Sequence, residues 1–158
     1  MSTIQPPTLS MTRPAGSADI ALLAALMIEF YAESDYRLPA DKAHAAFAAL
    51  VDRPERGIAF IVEIDGKAAG YAVLTVSYSM EHGGLRGFVD DLFVRPEARR
   101  RGLATALLAA IHEEAMGRGL RALVVETSAV DSPGKRLYYR VGFQDRELQL
   151  LSQELAPP

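Results

Sequence analysis

The chain has 158 residues, 49% of them hydrophobic, a formal net charge of −3 and no cysteine. That length suits one domain with a substantial core, and the apolar share is too high for a disordered chain. The charge leaves no overall basic field for nucleic acid. The missing cysteines exclude disulfides, thiolate metal sites and a catalytic thiol, and they fit a reducing compartment.

In chain order, residues 1–8 read as a disordered lead with no apolar signal-peptide core. Leu9 to Arg13 reads as a first strand, broken by Pro14-Ala15-Gly16. Ser17 is a suitable N-cap, and Ile20, Leu23, Ala24, Met27, Ile28 and Tyr31 recur at helical spacing, which predicts a helix over 18–33. After the loop Ser34 to Pro39, Asp41 is placed to cap a second helix with Ala45, Phe47, Ala48 and Leu50 on or near its inner face, ending before Pro54. Ile58 to Ile64 is an apolar strand, Asp65-Gly66 a hairpin turn and Ala69 to Ser77 the returning strand. A glycine-containing loop, Met80 to Gly84, leads to a further strand, Val89 to Val94, which Pro96 stops.

Beyond Arg99-Arg100-Arg101-Gly102 the apolar residues Leu103, Leu107, Leu108 and Ile111 return to helical spacing, predicting a long helix over 98–116 that stops among Gly117 and Gly119. Ala122 to Thr127 follows as a buried strand, Ser132 to Arg140 as a short helix, and Gly142-Phe143 opens a last strand reaching about Leu151. The expected organisation is one domain over 9–153 with a tail at 154–158. Tight turns imply antiparallel pairing, and the strand–helix–strand unit from Val89 to Thr127 implies a parallel right-handed crossover. The fold class is therefore α/β, a mixed sheet covered by helices on both faces. No stretch is long and apolar enough to cross a bilayer, so the expectation is a soluble cytoplasmic protein.

The basic, glycine-containing turn between strand and helix presents backbone N–H groups, the positive end of a helix dipole and guanidinium groups to one point. That is an anion site of a size for a pyrophosphate. Arg99-Arg100-Arg101-Gly102-Leu103-Ala104 resembles the (Q/R)-x-x-G-x-(G/A) signature of the GNAT acetyltransferases, and Asp91-Leu92-Phe93-Val94-Arg95-Pro96 resembles the strand that feeds it. The resemblance runs from Leu9 to Leu151. It implies six to seven strands, mostly antiparallel with a central splayed parallel pair, and about four helices. It further implies acetyl-CoA as cofactor and no metal, with Leu92, Phe93, Val94, Arg99, Arg100, Arg101, Gly102, Leu103, Ala104 and Thr105 binding it. A homodimer is common among such proteins.

The later motif is similar too. Leu137, Tyr138, Gly142 and Phe143 match the family's aliphatic-Tyr pair and Gly-Phe closure, whereas Asp131 and Gly134 stand where Asn and Ala are usual. By this resemblance Tyr138 is the general acid that protonates the departing thiolate, and Asp90 occupies the place where some polyamine-type members carry a glutamate base. Asp90 and Asp91 are adjacent on a strand, so their side chains are expected on opposite faces, with only one toward the cleft. Asp91, Glu29, Glu33, Glu81, Glu126 and a water remain alternative bases. A backbone N–H beside Leu92 to Val94 is the candidate oxyanion donor.

Glu29, Glu33 and Glu81 are candidates to receive the acceptor, read as a small cationic amine, polyamine-like or amino-acid-like. His44, His82 and His112 have no spacing that suggests a metal site or a triad. The expected activity is acetyl transfer to a primary amine. The alternative is a non-catalytic acyl-CoA sensor of the same fold. An unrelated phosphate-binding protein is disfavoured, since neither G-x-x-x-x-G-K-(S/T) nor G-x-G-x-x-G occurs.

Overall fold

The computed structural model describes residues 9–128 and 130–156. The proposed lead at 1–8 and the last two residues of the tail lie outside the described residues. The chain forms two compact units, divided after Val125.

The first unit carries the sheet. Its strands are β1 (Ser10–Pro14), β2 (Gly57–Ile64), β3 (Lys67–Ser79), β4 (Gly84–Val94) and β5 (Leu123–Val125). They lie side by side in sequence order, antiparallel up to β4 and parallel between β4 and β5. The hairpin between β2 and β3 turns at Asp65-Gly66, both with positive φ, 49° and 77°, the geometry that matches the twist of paired strands. Leu85 to Phe88 continue the ladder with β3, so β4 begins five residues earlier than the apolar run alone suggested.

Helices α1 (Ile20–Ala32) and α2 (Ala40–Asp52) cover one face. Leu23 and Leu26 of α1 and Phe47 of α2 pack with Ala59, Ile61, Tyr71, Val73 and Phe93 in one buried cluster. Each large apolar side chain so buried contributes about 1.5–3 kcal/mol. On α2 the inner face is Ala43 and Phe47, while Ala45 is exposed. The alternate strand residues Phe60, Val62, Ala72 and Leu74 are buried as well and face the other way. Helix α3 (Leu103–Gly117) packs against β1 to β4 there, burying Leu103, Leu107, Leu108 and Ile111.

Helix α1 starts at Ile20 after a short 3-10 turn, Ser17–Asp19. Ser17 does not cap it. The Asp19 carboxylate accepts the Gly16 N–H at 2.9 Å and takes two hydrogen bonds from Arg13 at 2.8 and 2.9 Å.

The second unit holds α4 (Pro133–Arg140), capped by the Ser132 hydroxyl, which accepts the Lys135 N–H at 3.1 Å. The last strand expected after Phe143 does not form, so the sheet has five strands among the described residues rather than six or seven. Asp145 accepts the Glu147 N–H at 2.8 Å and Glu147 turns to φ 54°. That local turn interrupts the extended run.

Candidate functional site

The anion turn is built by two backbone reversals. Arg100 and Gly102 both have positive φ, 62° and 77°, and this delays the start of α3 to Leu103. The first intrahelical bond is Ala106 N–H to the Gly102 carbonyl, 3.0 Å, and no side chain caps the helix. The N–H groups of Leu103, Ala104 and Thr105 therefore point out of the helix start without intrahelical partners. A Cβ placed on Gly102 would meet nothing within 4 Å, so no other part of the protein packs against this turn at that point. Two facts fit a bound diphosphate: the donors, and Arg100 and Arg101, both exposed beside them. Arg101 lines a cavity of about 330 Å³ with Lys67 and Arg95.

Arg99 does different work. Its Nε donates to the Val94 carbonyl at 2.8 Å, its guanidinium pairs with Glu33, and it lies 5.9 Å from the Phe93 ring centroid. One turn earlier, Arg95 holds both oxygens of Glu29 at 2.8 and 2.9 Å. Two carboxylates four residues apart, in the last turn of α1 and just beyond it, thus engage two arginines four residues apart in the segment between β4 and α3. Glu29 and Glu33, expected as acceptor residues, are already committed to Arg95 and Arg99.

Strand β5 pairs with β4 only at Gly87, Phe88 and Val89. From Asp90 to Val94 that side of β4 has no ladder partner among the described residues, because β5 ends at Val125. Leu92, Phe93 and Val94 lie along this opening. Their side chains are half-buried or buried, which leaves the backbone as the polar group on offer.

Asp90 and Asp91 overturn the expectation of opposite faces. The ladder runs Val73↔Asp91 and then Leu74↔Val89, which skips Asp90. Asp90 is the extra residue of a β-bulge, and the bulge re-aims it. Both aspartates line one cavity of about 140 Å³, with Met27 of α1, Phe47 and Leu50 of α2, and Val73 and Thr75 of β3. Asp90 is exposed at its mouth, while Asp91 is only 7% exposed.

The Asp91 carboxylate accepts the Tyr71 hydroxyl at 2.7 Å on one oxygen and the Tyr31 hydroxyl at 3.3 Å on the other. Burial raises the Asp91 carboxyl above its ordinary value, and the Asp90 charge adds to this, while the two tyrosine hydrogen bonds pull it down. Both phenols are pushed well above their usual range, by burial first and then by the Asp91 charge. They stay protonated donors. Tyr31 and Tyr71 were missed in the sequence because each reads as an ordinary core position. The usable signal was the Asp-Asp pair itself, since a strand covered on both faces has no room for two alternating charges without a bulge.

Glu81 lies in the turn between β3 and β4, five ladder pairs beyond Leu74↔Val89. At about 3.4 Å per residue it is roughly 17 Å along the strands from the aspartate pair. Among the described residues no cluster of His, Cys, Asp and Glu could hold a metal ion, and no helix is long and apolar enough to cross a membrane.

In the second unit, the Tyr138 ring packs edge-on to Phe143 with centroids 5.6 Å apart, and burial raises its phenol above the ordinary value. Asp131 is ion-paired with Arg136, which offsets the charge this position carries in place of the usual Asn. Glu126 is exposed.

Comparison with known proteins gives a consistent set of matches. Residues 21–143 match the model of the acetyltransferase (GNAT) family, a stretch running through both units. An aminoglycoside N(6')-acetyltransferase type 1 of Salmonella typhimurium is 27% identical over 110 residues, 68% of this chain and 76% of the relative. The crystal structure of integron cassette protein HFX_CASS3, from the mobile metagenome of Cole Harbour salt marsh, superposes with a TM-score of 0.85 at 44% identity, covering 93% of this chain and 91% of that one. Aminoglycoside N-acetyltransferase AAC(6')-Iy in complex with CoA shares the fold, with a TM-score of 0.81 at 21% identity over 97% of this chain and 99% of that one.

Proposed function

Because the chain belongs to the GNAT acetyltransferase family and is an acetyl-CoA-dependent N-acetyltransferase, we propose that it acetylates a primary amine of a small polycationic acceptor by direct attack in a ternary complex. The observation that carries this reading is the uncapped start of α3 behind Gly102, at the end of a β4 edge that β5 leaves open from Asp90 to Val94.

Acetyl-CoA supplies the thioester and a thiolate leaving group. The N–H groups of Leu103, Ala104 and Thr105, with Arg100 and Arg101, hold its diphosphate. The free edge of β4 near Leu92 to Val94 offers N–H donors to the developing oxyanion. A primary amine has a pKa near 10 and arrives as an ammonium, so it must lose a proton before it attacks. Asp90, at the cavity mouth, takes that proton, directly or through a water. Tyr138 is the general acid, its phenol kept protonated by burial. Holding amine and thioester together supplies much of the rate.

The acceptor's positive charge fits the cavity that Asp90 and Asp91 line together, where two acidic residues share one space. An acceptor with several amines agrees with the relatives named for aminoglycosides. Polyamines and amino acids share the chemistry. A homodimer and a cytoplasmic location belong to the reading on the resemblance and composition alone.

The test is CoA release from acetyl-CoA over aminoglycosides, polyamines, amino acids and peptides. Turnover concentrated on acceptors with two or more amines supports the reading. Turnover confined to peptide N-termini would move the acceptor elsewhere, and acetyl-CoA binding without turnover on any class would favour the sensor.

A further inference from the structure

Asp91 has no step of its own in the reaction above, yet it is the buried carboxylate of the site. It lies at the bulge beside the group assigned as base. We propose that Asp91 is a positioning residue for the transfer: clamped by the Tyr71 and Tyr31 hydroxyls, its carboxylate holds a fixed negative charge against Asp90 and so strengthens Asp90's hold on the amine's proton. This rests on the reading of Asp90 as base.

The geometry supports a charged Asp91. Each of its two oxygens receives a different hydroxyl, Oδ2 from Tyr71 at 2.7 Å and Oδ1 from Tyr31 at 3.3 Å. A carboxylate that only accepts suits two donors better than a carboxylic acid, which needs an acceptor for its own proton. The donors are themselves fixed. Tyr71 is fully buried and its ring meets Phe30, Phe47 and Phe93 edge-on. The Tyr31 ring meets Phe30 and Tyr36.

The titratable groups facing Asp91 are Tyr71 from β3, Tyr31 from α1 with Tyr36 behind it, and Asp90 from its own strand. Helix α2 brings only Ala46, Phe47 and Leu50 to this cavity. Burial opposes the charge on Asp91, and the two hydroxyls sustain it. Because both residues line one cavity at the bulge and their charges interact, that charge makes Asp90 more basic, as a like charge does for a neighbouring carboxylate. On an unbulged strand, Asp91 would have faced away.

The experiment is the pH profile of kcat/KM for Asp91→Asn, Tyr71→Phe and Asp90→Asn beside the wild type, on one aminoglycoside acceptor. The acceptor's own ionisation is common to all four and cancels in the comparison. Asp91→Asn is expected to move the acid limb down by on the order of one pH unit and to lower the plateau about tenfold, because the base has weakened. Tyr71→Phe, which loosens the clamp, moves the limb in the same direction by less, and serves if Asp91→Asn does not fold. A folded variant with a lower rate but an unmoved limb would make Asp91 merely structural and overturn the proposal. If Asp90→Asn abolishes the limb while Asp91→Asn leaves it in place, only the role of Asp91 falls. If the limb survives Asp90→Asn, the assignment of the base falls with it.

Discussion

Arg95 grips both oxygens of Glu29, at 2.8 and 2.9 Å, joining the end of β4 to the last turn of α1. One helical turn on, Arg99 holds a single oxygen of Glu33. Helix α1 also lends Met27 to the aspartate cavity, so these pairs tie the helix that lines this cavity to the segment between β4 and α3.

The double variant Glu29→Gln with Glu33→Gln therefore separates two roles. Partly exposed ion pairs contribute only about 0–1 kcal/mol each, so the thermal midpoint should fall by a few degrees at most. The acceptor KM should stay within about threefold, because both carboxylates are already engaged by arginines. A rise of tenfold or more in that KM, about 1.4 kcal/mol, would return them to the acceptor site.

Gly102→Ala tests the anion turn. The φ of 77° costs an L-residue about 1–2 kcal/mol, while the empty surroundings add no clash within the protein. The variant should fold with modestly lower stability, yet bind acetyl-CoA about tenfold more weakly by calorimetry, since a side chain at that φ strains the turn that presents the α3 donors. Unchanged affinity would place the diphosphate elsewhere.

Tyr138→Phe should fold normally and bind acetyl-CoA as before, with kcat down by about a hundredfold, the low end for loss of a general acid. With the protonated phenol as the acid, the wild-type rate should fall as pH rises through its pKa. Burial raises that value, which puts the alkaline limb above the usual phenol range. The limb should vanish in the variant. Full activity in Tyr138→Phe would assign the proton to water.

The fold was legible wherever local chemistry decides. Asp65-Gly66 dictates its own turn, and the switch from the Val89–Val94 run to the spacing of Leu103, Leu107 and Ile111 marks a strand feeding a helix. What the sequence hid depends on partners far away in the chain. Glu29 and Glu33 look like an acidic patch until Arg95 and Arg99, 66 residues on, arrive beside them. Asp90 and Asp91 alternate on paper, and only pairing with β3 creates the bulge that puts them together. Gly142-Phe143 marks the start of an expected last strand reaching about Leu151, but the Asp145 carboxylate competes for the Glu147 N–H and wins locally.

Asp19 gives a pH signature to the first unit. Arg13 and the Gly16 N–H hold its carboxyl down at about 2, below its ordinary 3.8. A depressed carboxyl contributes stability that is present above the ordinary value and lost as pH falls through the folded one. Asp19→Asn should therefore melt lower than the wild type at neutral pH, by about 1 kcal/mol or less for so shallow a pair. The gap should narrow as pH drops from 4 toward 2. A gap independent of pH would mean that the pairing with Arg13 carries none of it.

The most direct test of the account is the initial rate of CoA release with acetyl-CoA and a polycationic amine varied together. Direct attack within a ternary complex predicts double-reciprocal lines that intersect, with the acetyl group recovered on the amine. Parallel lines with an acetylated protein intermediate, or no turnover at saturating concentrations of both, would contradict it.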